Sequence, residues 1–446
     1  MVPATLNKLS LRYSKACKLI HYQFEMKSFL HLYQMKNSKS IVFLFLFVYH
    51  LNAFSQSIHK PAIITGAERL EVYLPMLKGK TVAIFANQTS MVKSTHLVDT
   101  LLKKGVKIVK IFGPEHGFRG TANAGEHVNN DVDIKTGIPV ISLYGDHKKP
   151  VANDFKAVDI LIFDIQDVGV RFYTFISSLE YFLEAALENH KPLLILDRPN
   201  PNGFYVDGPV LEPAFKSFVG MQPVPIVHGM TIGEYALMLA GENWLSAKAK
   251  AINAYNNTTK PTTDTPFHVQ VIKCKNYTHS SKYVLPVSPS PNLKEMQSIY
   301  LYPSTCFFEG TVLSEGRGTD KPFQLFGHPT LPNNLYAFTP QPNAGSKSSK
   351  CFNQLCFGWN LSGSTAEVLK SLNGCIELKY LLDAYRLFPD KDSFFLKNNF
   401  FNKLAGNSQL MEQVKQGKSA AAIRNSWEPA LTNFKKIRQK YLLYAL

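Results

Sequence analysis

The stretch AVDILIFDIQDVG, Ala157 to Gly169, decides the fold. Ile160 to Phe163 form an unbroken apolar run, with no polar residue on either side of the pleat. A strand that is apolar on both faces is covered on both faces, which is the situation of a parallel sheet between helices. The run ends in Asp164, Gln166 and Asp167. Four other segments share this form: KTVAIFANQTS and VKIVKIFGPEHG before it, IPVISLYGD just before it, and PLLILDRPNPNG after it. Between them lie helical patterns. STHLVDTLLKKG has helical spacing and a glycine stop. YTFISSLEYFLEAALENHK puts Phe175, Ile176, Leu179, Phe182, Leu183, Ala186 and Leu187 on one face. Strand–helix alternation with near-continuous apolar strands predicts an α/β fold: a Rossmann-like parallel sheet with helices on its faces.

That fold brings no function by itself. FANQTS follows the first strand where a G-x-G-x-x-G turn would stand. There is no Walker lysine loop and no G-x-S-x-G elbow. Asp131, Asp133, His116, His127 and His147 show no metal-ligand spacing. The expectation is therefore chemistry without nucleotide, metal or other cofactor.

Around residues 286–303 the chain turns rich in proline and serine and reads as a crossover. Beyond it come the polar, glycine-rich EGTVLSEGRGTDKPF, the exposed-looking loop TPQPNAGSKSSKCFNQ, and a helical pattern from about Ser364. The glycines beside Arg317 predict close approach of backbone to a ligand. The expected organisation is an N-terminal extension and signal peptide over 1–55, the Rossmann-like domain over 56–290, and a smaller α+β domain over 291–446 that closes a cleft. The leader reading rests on KNSKSIVFLFLFVYHLNAFSQS, where two lysines precede an apolar run and small residues mark a cleavage site. The run is short for a membrane span. Met35 gives the cleanest start, and the mature chain is expected to be secreted or periplasmic, without stable membrane insertion.

The formal charge is +16, of which 1–55 contribute seven Lys/Arg and one Glu; 16 − 6 leaves about +10 for the mature chain. This suits an anionic partner. The cations are scattered, without a basic block interleaved with aromatics, so nucleic acid is not the expected one. Anionic cell-wall fragments fit as well. Five cysteines lie beyond the leader; buried thiols are the default, although Cys351 and Cys356 are close enough in sequence to bridge.

Ligands of open parallel sheets bind beyond the carboxyl ends of the strands. Here those ends carry Asn87 and Gln88, Glu115 and His116, Tyr144, then Asp164, Gln166, Asp167, Arg171 and Tyr173, and finally Asp197 and Arg198. Glu115 follows a Gly-Pro bend and is flanked by Phe112 and Phe118. Partial desolvation would raise its pKa and suit it as a general acid, while His116 and Arg119 act in the opposite sense. Glu315 and Arg317 would come from the second domain.

Six motifs in order, GPEHGFRG, TGIPVISLYG, DIQDVGVRFYTFI, LDRPNPNG, HGMTIGE and EGTVLSEGRGTDKPF, make the chain resemble the exo-β-N-acetylmuramidase (NamZ-type) family from about residue 60 to the end. The resemblance implies a Rossmann-like domain plus a smaller one, a glycoside hydrolase active site in the cleft, and release of N-acetylmuramic acid from the non-reducing end of peptidoglycan fragments. It assigns the catalytic glutamate to Glu115. Thr121 and Asn123 depart from the family's acidic pattern. Glycoside cleavage then needs a second group, either a carboxylate or the substrate's own acetamide oriented by one, with Asp164 or Asp167 as candidates. Arg119, Arg171 and Arg317 are candidate clamps for the lactyl carboxylate. Other readings are a periplasmic muropeptide-binding protein without hydrolytic activity and a metal-assisted cell-wall esterase.

Overall fold

The computed structural model describes residues 61–115, 117–119, 131–258, 269–343 and 345–446. The leader, His116, Thr121, Asn123 and His127 lie outside the described residues. The five expected strands form as β1 (Thr81–Ala86), β4 (Lys107–Gly113), β6 (Pro139–Ser142), β7 (Ile160–Asp164) and β8 (Leu193–Leu196). Short hairpin strands β2 (Met91–Val92) and β3 (Thr95–His96) follow β1. Two strands were not legible in the sequence: β5 (Asp131–Val132), at one edge, and β11 (Val269–Ile272), at the other. The sheet order is β11-β8-β7-β1-β4-β6-β5, parallel throughout except for β5. Strand order reverses between β1 and β7, as in a doubly wound Rossmann sheet.

Helices α1 (Leu70–Leu77), α2 (Leu97–Lys103), α3 (Phe175–Glu188), α4 (Ile232–Gly241) and α5 (Ala247–Thr258) accompany the sheet. The apolar face read for α3 is buried, every residue of it. Phe182 is its centre: its ring lies 5.1–6.1 Å from those of Phe85, Phe112, Phe155 and Phe163, which come from three strands and a connecting turn. Tyr73, Leu97, Val98 and Leu101 belong to a second core, with Ile84 and Ile162 of the sheet.

A small hairpin, β9 (Asp207–Val210) with β10 (Pro225–Val227), precedes α4. The proline-rich crossover is irregular only to residue 295; α6 (Met296–Thr305) then begins, because Ile299, Tyr300 and Leu301 are buried and Pro303 falls in its last turns. A three-stranded antiparallel sheet, β12 (Leu325–His328), β14 (Cys356–Asn360) and β13 (Tyr336–Phe338), follows. Helices α7 (Thr365–Leu372), α8 (Lys379–Leu387), α9 (Phe400–Ala405), α10 (Gln409–Lys415) and α11 (Ala420–Gln439) complete the chain. Residues 63–446 make one compact unit. Phe172 packs edge-on against Tyr302 at 5.3 Å and against Phe307 at 6.2 Å, so the two halves share one core. All five cysteines of this unit are free thiols.

Arg171 corrects an expectation. It is wholly buried and does not face a ligand. Nη1 donates to the carbonyls of Pro209 (2.9 Å) and Val224 (2.8 Å), and Nη2 to those of Leu404 and Ala405 (both 2.8 Å). Burial draws the guanidinium down to about 9, still charged at neutral pH. The charge has no carboxylate in hydrogen-bonding contact; four carbonyl dipoles solvate it instead. Gly406 is required beside it: φ is +82°, and a Cβ there would meet Nη2 at 2.6 Å. Arg171→Met should strand four buried carbonyls and cost about 3–5 kcal/mol, the scale of a broken buried charge network. Gly406→Ala should destabilise through the same contact. Urea midpoints measure both; a wild-type midpoint for either would refute this account.

Candidate active site

The reversal point between β1 and β7 is where a doubly wound sheet opens a ligand crevice. Here the chain fills it with its own polar groups. Ser90 Oγ donates to the Asp164 carbonyl. Thr89 Oγ1 donates to Asn87 Oδ1 at 2.6 Å and accepts from the Gln166 amide at 3.0 Å. Gln166 Nε2 donates to the carbonyls of Asp167 and Pro199, both at 2.8 Å. Gln88 Nε2 reaches the carbonyls of Ser288 and Pro289, bracing the crossover. Arg198 lies along Asp164, Nε to Oδ1 at 2.7 Å and Nη2 to Oδ2 at 2.8 Å, with both side chains at most 2% exposed. Asp164 is therefore a structural ion-pair partner. Asp167 is also buried; its Oδ2 accepts from the Gly169 amide at 2.6 Å, and burial pushes its carboxyl up to about 7. None of Asn87, Gln88, Asp164, Gln166 and Asp167 lines the cleft described next.

That cleft holds about 730 Å³ and opens beside the β4 and β6 ends of the sheet. Glu115 stands at its wall, on the first corner of a turn closed by the Gly117 amide on the Pro114 carbonyl (2.9 Å). Gly117 has φ +74°, the left-handed conformation that glycine allows. At Gly113 a Cβ would press on the Phe118 amide at 3.0 Å. Tyr144, just beyond β6, donates its hydroxyl to Glu115 Oε1 at 3.1 Å. Thr174 caps α3 in sequence, yet its hydroxyl makes no capping bond; it reaches toward Glu115 Oε2 at 3.5 Å. Tyr173 lines the cleft and donates to the Pro289 carbonyl at 2.9 Å. Arg119 does not line it. Its guanidinium holds Asp133 at 2.8 and 3.0 Å and lies over the Phe118 ring.

The facing wall comes from the C-terminal half. Arg317 pairs with Glu309 at 2.6 Å and Glu315 at 3.2 Å, and Lys350 pairs with Glu315 at 2.9 Å. Lys350 also donates to the carbonyls of Phe308 and Thr311. Burial works to raise the Glu315 carboxyl, but Lys350 and Arg317 outweigh it and hold the group below the usual range. Gly316 and Gly318, both at φ +81°, serve the turn: a Cβ on either would meet backbone carbonyls, not a ligand space. The loop read as exposed supplies Ser346, Lys347 and Lys350 to the cleft. The run of lysines and serines was the available signal, but its solvent-like composition concealed it. Phe172, Phe175, Phe218, Tyr302, Phe323 and Phe400 give the cleft apolar faces. Among the described residues no group of three or more His, Cys, Asp or Glu is placed to hold a metal. Asp133 is taken by Arg119, and His147 lies 3.0 Å from Asp154.

A Rossmann-like sheet whose acid-bearing cleft is closed by a second half defines a two-part α/β enzyme. The model of the N-terminal domain of the exo-β-N-acetylmuramidase NamZ matches residues 82–297, and that of the C-terminal domain residues 300–444. The chain is 39% identical over 418 residues to the peptidoglycan β-N-acetylmuramidase NamZ of Bacillus subtilis strain 168, covering 87% of this chain and 93% of that protein. Two solved DUF1343 family proteins from Bacteroides fragilis are similar: one at 46% identity and TM-score 0.76 (86% of this chain, 99% of that one), the other at 29% and 0.68 (86% and 100%). The chain belongs to the NamZ exo-β-N-acetylmuramidase family, and is a glycoside hydrolase.

The Glu315 pairing has a pH signature. A carboxyl held low in the folded state contributes stability that is present above its unfolded pKa of about 4.3 and is lost as pH falls through the folded value. Lys350→Met removes the stronger of the two lowering charges, so burial raises the carboxyl. The urea-midpoint gap between wild type and Lys350→Met should be largest at pH 7 and shrink below about pH 4. A gap independent of pH would show that Lys350 does not hold the carboxylate.

Proposed function

We propose that Glu115 is the proton donor of an exo-acting muramidase that releases N-acetylmuramic acid from the non-reducing end of peptidoglycan fragments. The observation that carries this is a carboxyl held by two hydroxyls on one wall of a cleft whose other wall is cationic. Glu115 protonates the glycosidic oxygen as the bond to the anomeric carbon breaks. The cleft's other described carboxylates, Glu309 and Glu315, are both paired with Arg317. Attack by the substrate's own acetamido oxygen on the anomeric carbon, with water later opening the intermediate, fits this pairing. Asp164 and Asp167 do not orient that acetamide, since one is locked by Arg198 and the other lies off the cleft.

The lactyl carboxylate belongs with Arg317, Lys347 and Lys350, three cations against the two carboxylates Glu309 and Glu315. Arg317 uses Nη2 and Nε on those carboxylates, so its Nη1 is the edge offered to a ligand. The half-buried rings of Phe218 and Phe400 suit the apolar faces of a sugar ring. His116 remains a candidate partner of Glu115 by sequence adjacency.

Glu115→Gln keeps size and removes the ionisable proton. General acid catalysis contributes about 10²–10⁴-fold, so turnover of an N-acetylmuramyl–N-acetylglucosamine disaccharide should fall by that much. An aryl glycoside with an acidic phenol needs little protonation and should lose far less. Equal losses on both substrates would move the acid elsewhere.

The substrate polymer lies outside the cytoplasmic membrane, and we infer export from residues 1–55. The support is the charged, apolar and small-residue order of that leader. N-terminal sequencing of the exported protein should begin near Gln56; a mature chain that retains residues 1–55 would overturn it.

A further inference from the structure

The opposite end of the sheet carries charge that the cleft does not use. Lys78 and Lys80 lead into β1, Lys104 and Lys107 into β4, Lys156 into β7 and Lys191 into β8. The register sets Thr81 of β1 level with Lys107 and aligns the starts of β7 and β8 beside it. These lysines therefore form a row across four neighbouring strand starts, in the order β8, β7, β1, β4. Strand separation steps the row by about 4.8 Å.

Among the described residues none of the six lysines has a salt-bridge partner. Five of them are exposed, and Lys191 is half-buried with its ammonium on the Val158 carbonyl. Asp159, which lies beside Lys80 and Lys191, turns its carboxylate to the Thr81 amide and hydroxyl, both at 2.7 Å. Helix dipoles explain part of the pattern, since Lys78 and Lys104 follow the ends of α1 and α2. They do not explain Lys80, Lys156 or Lys191, which precede strands, or Lys107, which opens β4. Two acids lie nearby, Asp159 and Glu71, the latter paired with Arg69 at 3.7 Å; six lysines still outnumber them, and an excess of like charge on one face favours an anionic partner.

The face is also concave. A groove of about 550 Å³ runs between the Lys78–Lys80 bank and the Lys104–Lys107 bank, over Leu70, Leu74, Pro75 and Val106, with Glu71 its one acidic lining residue. A groove banked by ammonium groups admits a chain, whereas a bilayer presents a plane. We propose that this groove docks intact peptidoglycan through the carboxylates of its stem peptides, away from the cleft. The identity of the polymer rests on the muramidase reading above; the polyanion chemistry rests on the groove. Because the groove lies at the amino ends of the strands and the cleft at their carboxyl ends, one molecule can hold the wall and keep its active site open to chain ends.

The test is cosedimentation with purified intact sacculi in the cold, across a salt series, in parallel with turnover of the soluble disaccharide. Wild type should sediment at low salt and be released by salt, because exposed charges are screened. K78Q/K80Q/K104Q/K107Q should lose at least tenfold in retention and keep disaccharide turnover within twofold. Sacculi whose carboxylates are amidated should fail to retain wild type. Retention of the variant equal to wild type would overturn the proposal. So would displacement of wild type by the soluble disaccharide, or binding to phosphatidylglycerol vesicles without binding to sacculi. Lysine-dependent retention by a wild type that does not turn over the disaccharide would sink the muramidase reading and leave the docking surface standing.

Discussion

A single buried guanidinium fixes the relation between the two halves of this enzyme. Arg171 stands two residues before Tyr173 and three before Thr174, which face the cleft. Its Nη1 gathers carbonyls from the β9–β10 region, and its Nη2 gathers the last two carbonyls of α9. A buried cation without a carboxylate is costly unless its donors find acceptors; here both terminal nitrogens do, while Nε makes no hydrogen bond. Here the acceptors are backbone groups, and α9 contributes its C-terminal carbonyls, which carry the negative end of the helix dipole. The arrangement ties the segment after β7 to a helix of the C-terminal half. The Tyr173–Thr174 edge of the cleft thus takes its position from a contact made behind the cleft wall.

The same economy of polar groups appears at the sheet's reversal point. A nucleotide-binding sheet leaves the crevice between its central strands open. In this protein Thr89, Ser90, Gln166 and the Arg198–Asp164 pair bond across it. A fully bonded buried network is rigid and specific, since each member loses a partner if another moves. The ligand space is displaced sideways to the ends of β4 and β6, where Glu115 and Tyr144 meet. A familiar topology therefore opens its cleft at a neighbouring place, which is why the strand order alone predicts no substrate.

Much of the sheet was legible because double-sided burial leaves a run such as ILIF in the sequence, and the α3 face was legible because Phe182 and its neighbours recur at helical spacing. Strands without such runs escaped: β11 is half exposed and β5 has two residues. Glu115, singled out by its bend, and Arg317, singled out by its flanking glycines and charges, both line the cleft. Arg171 and Asp164 were misread for one reason. Both follow or end an apolar strand, as a ligand-facing group would. What distinguishes them is the partner, and four backbone carbonyls leave no mark in composition or spacing. Asp164 needed Arg198, which follows the next strand in the chain. The lysine-bearing loop was misread for the opposite reason: its polar composition is that of solvent-exposed chain, whether the solvent it meets is bulk water or a cleft.

The cationic wall of the cleft is fixed by its own ion pairs and carbonyls. A lone arginine in a cleft would sample many rotamers and lose that freedom on binding. Arg317 is instead held on two edges by Glu309 and Glu315, with Phe323 beneath its plane at 5.1 Å. Glu315 is held in turn by Lys350, whose ammonium is fixed to the carbonyls of Phe308 and Thr311. The carboxylates lower the net attraction of the wall for an anion but fix the direction from which it is offered. Groups fixed before the substrate arrives need no reorganisation as charge develops, which is where electrostatic catalysis gains most. Glu115 on the opposite wall is likewise held by hydroxyls of Tyr144 and Thr174. On the proposed reading, an acid and an anion clamp on separate halves must keep a constant separation to discriminate a lactyl-bearing sugar. The shared aromatic core and Arg171 tie the two walls together, so that separation would depend on groups behind the cleft wall.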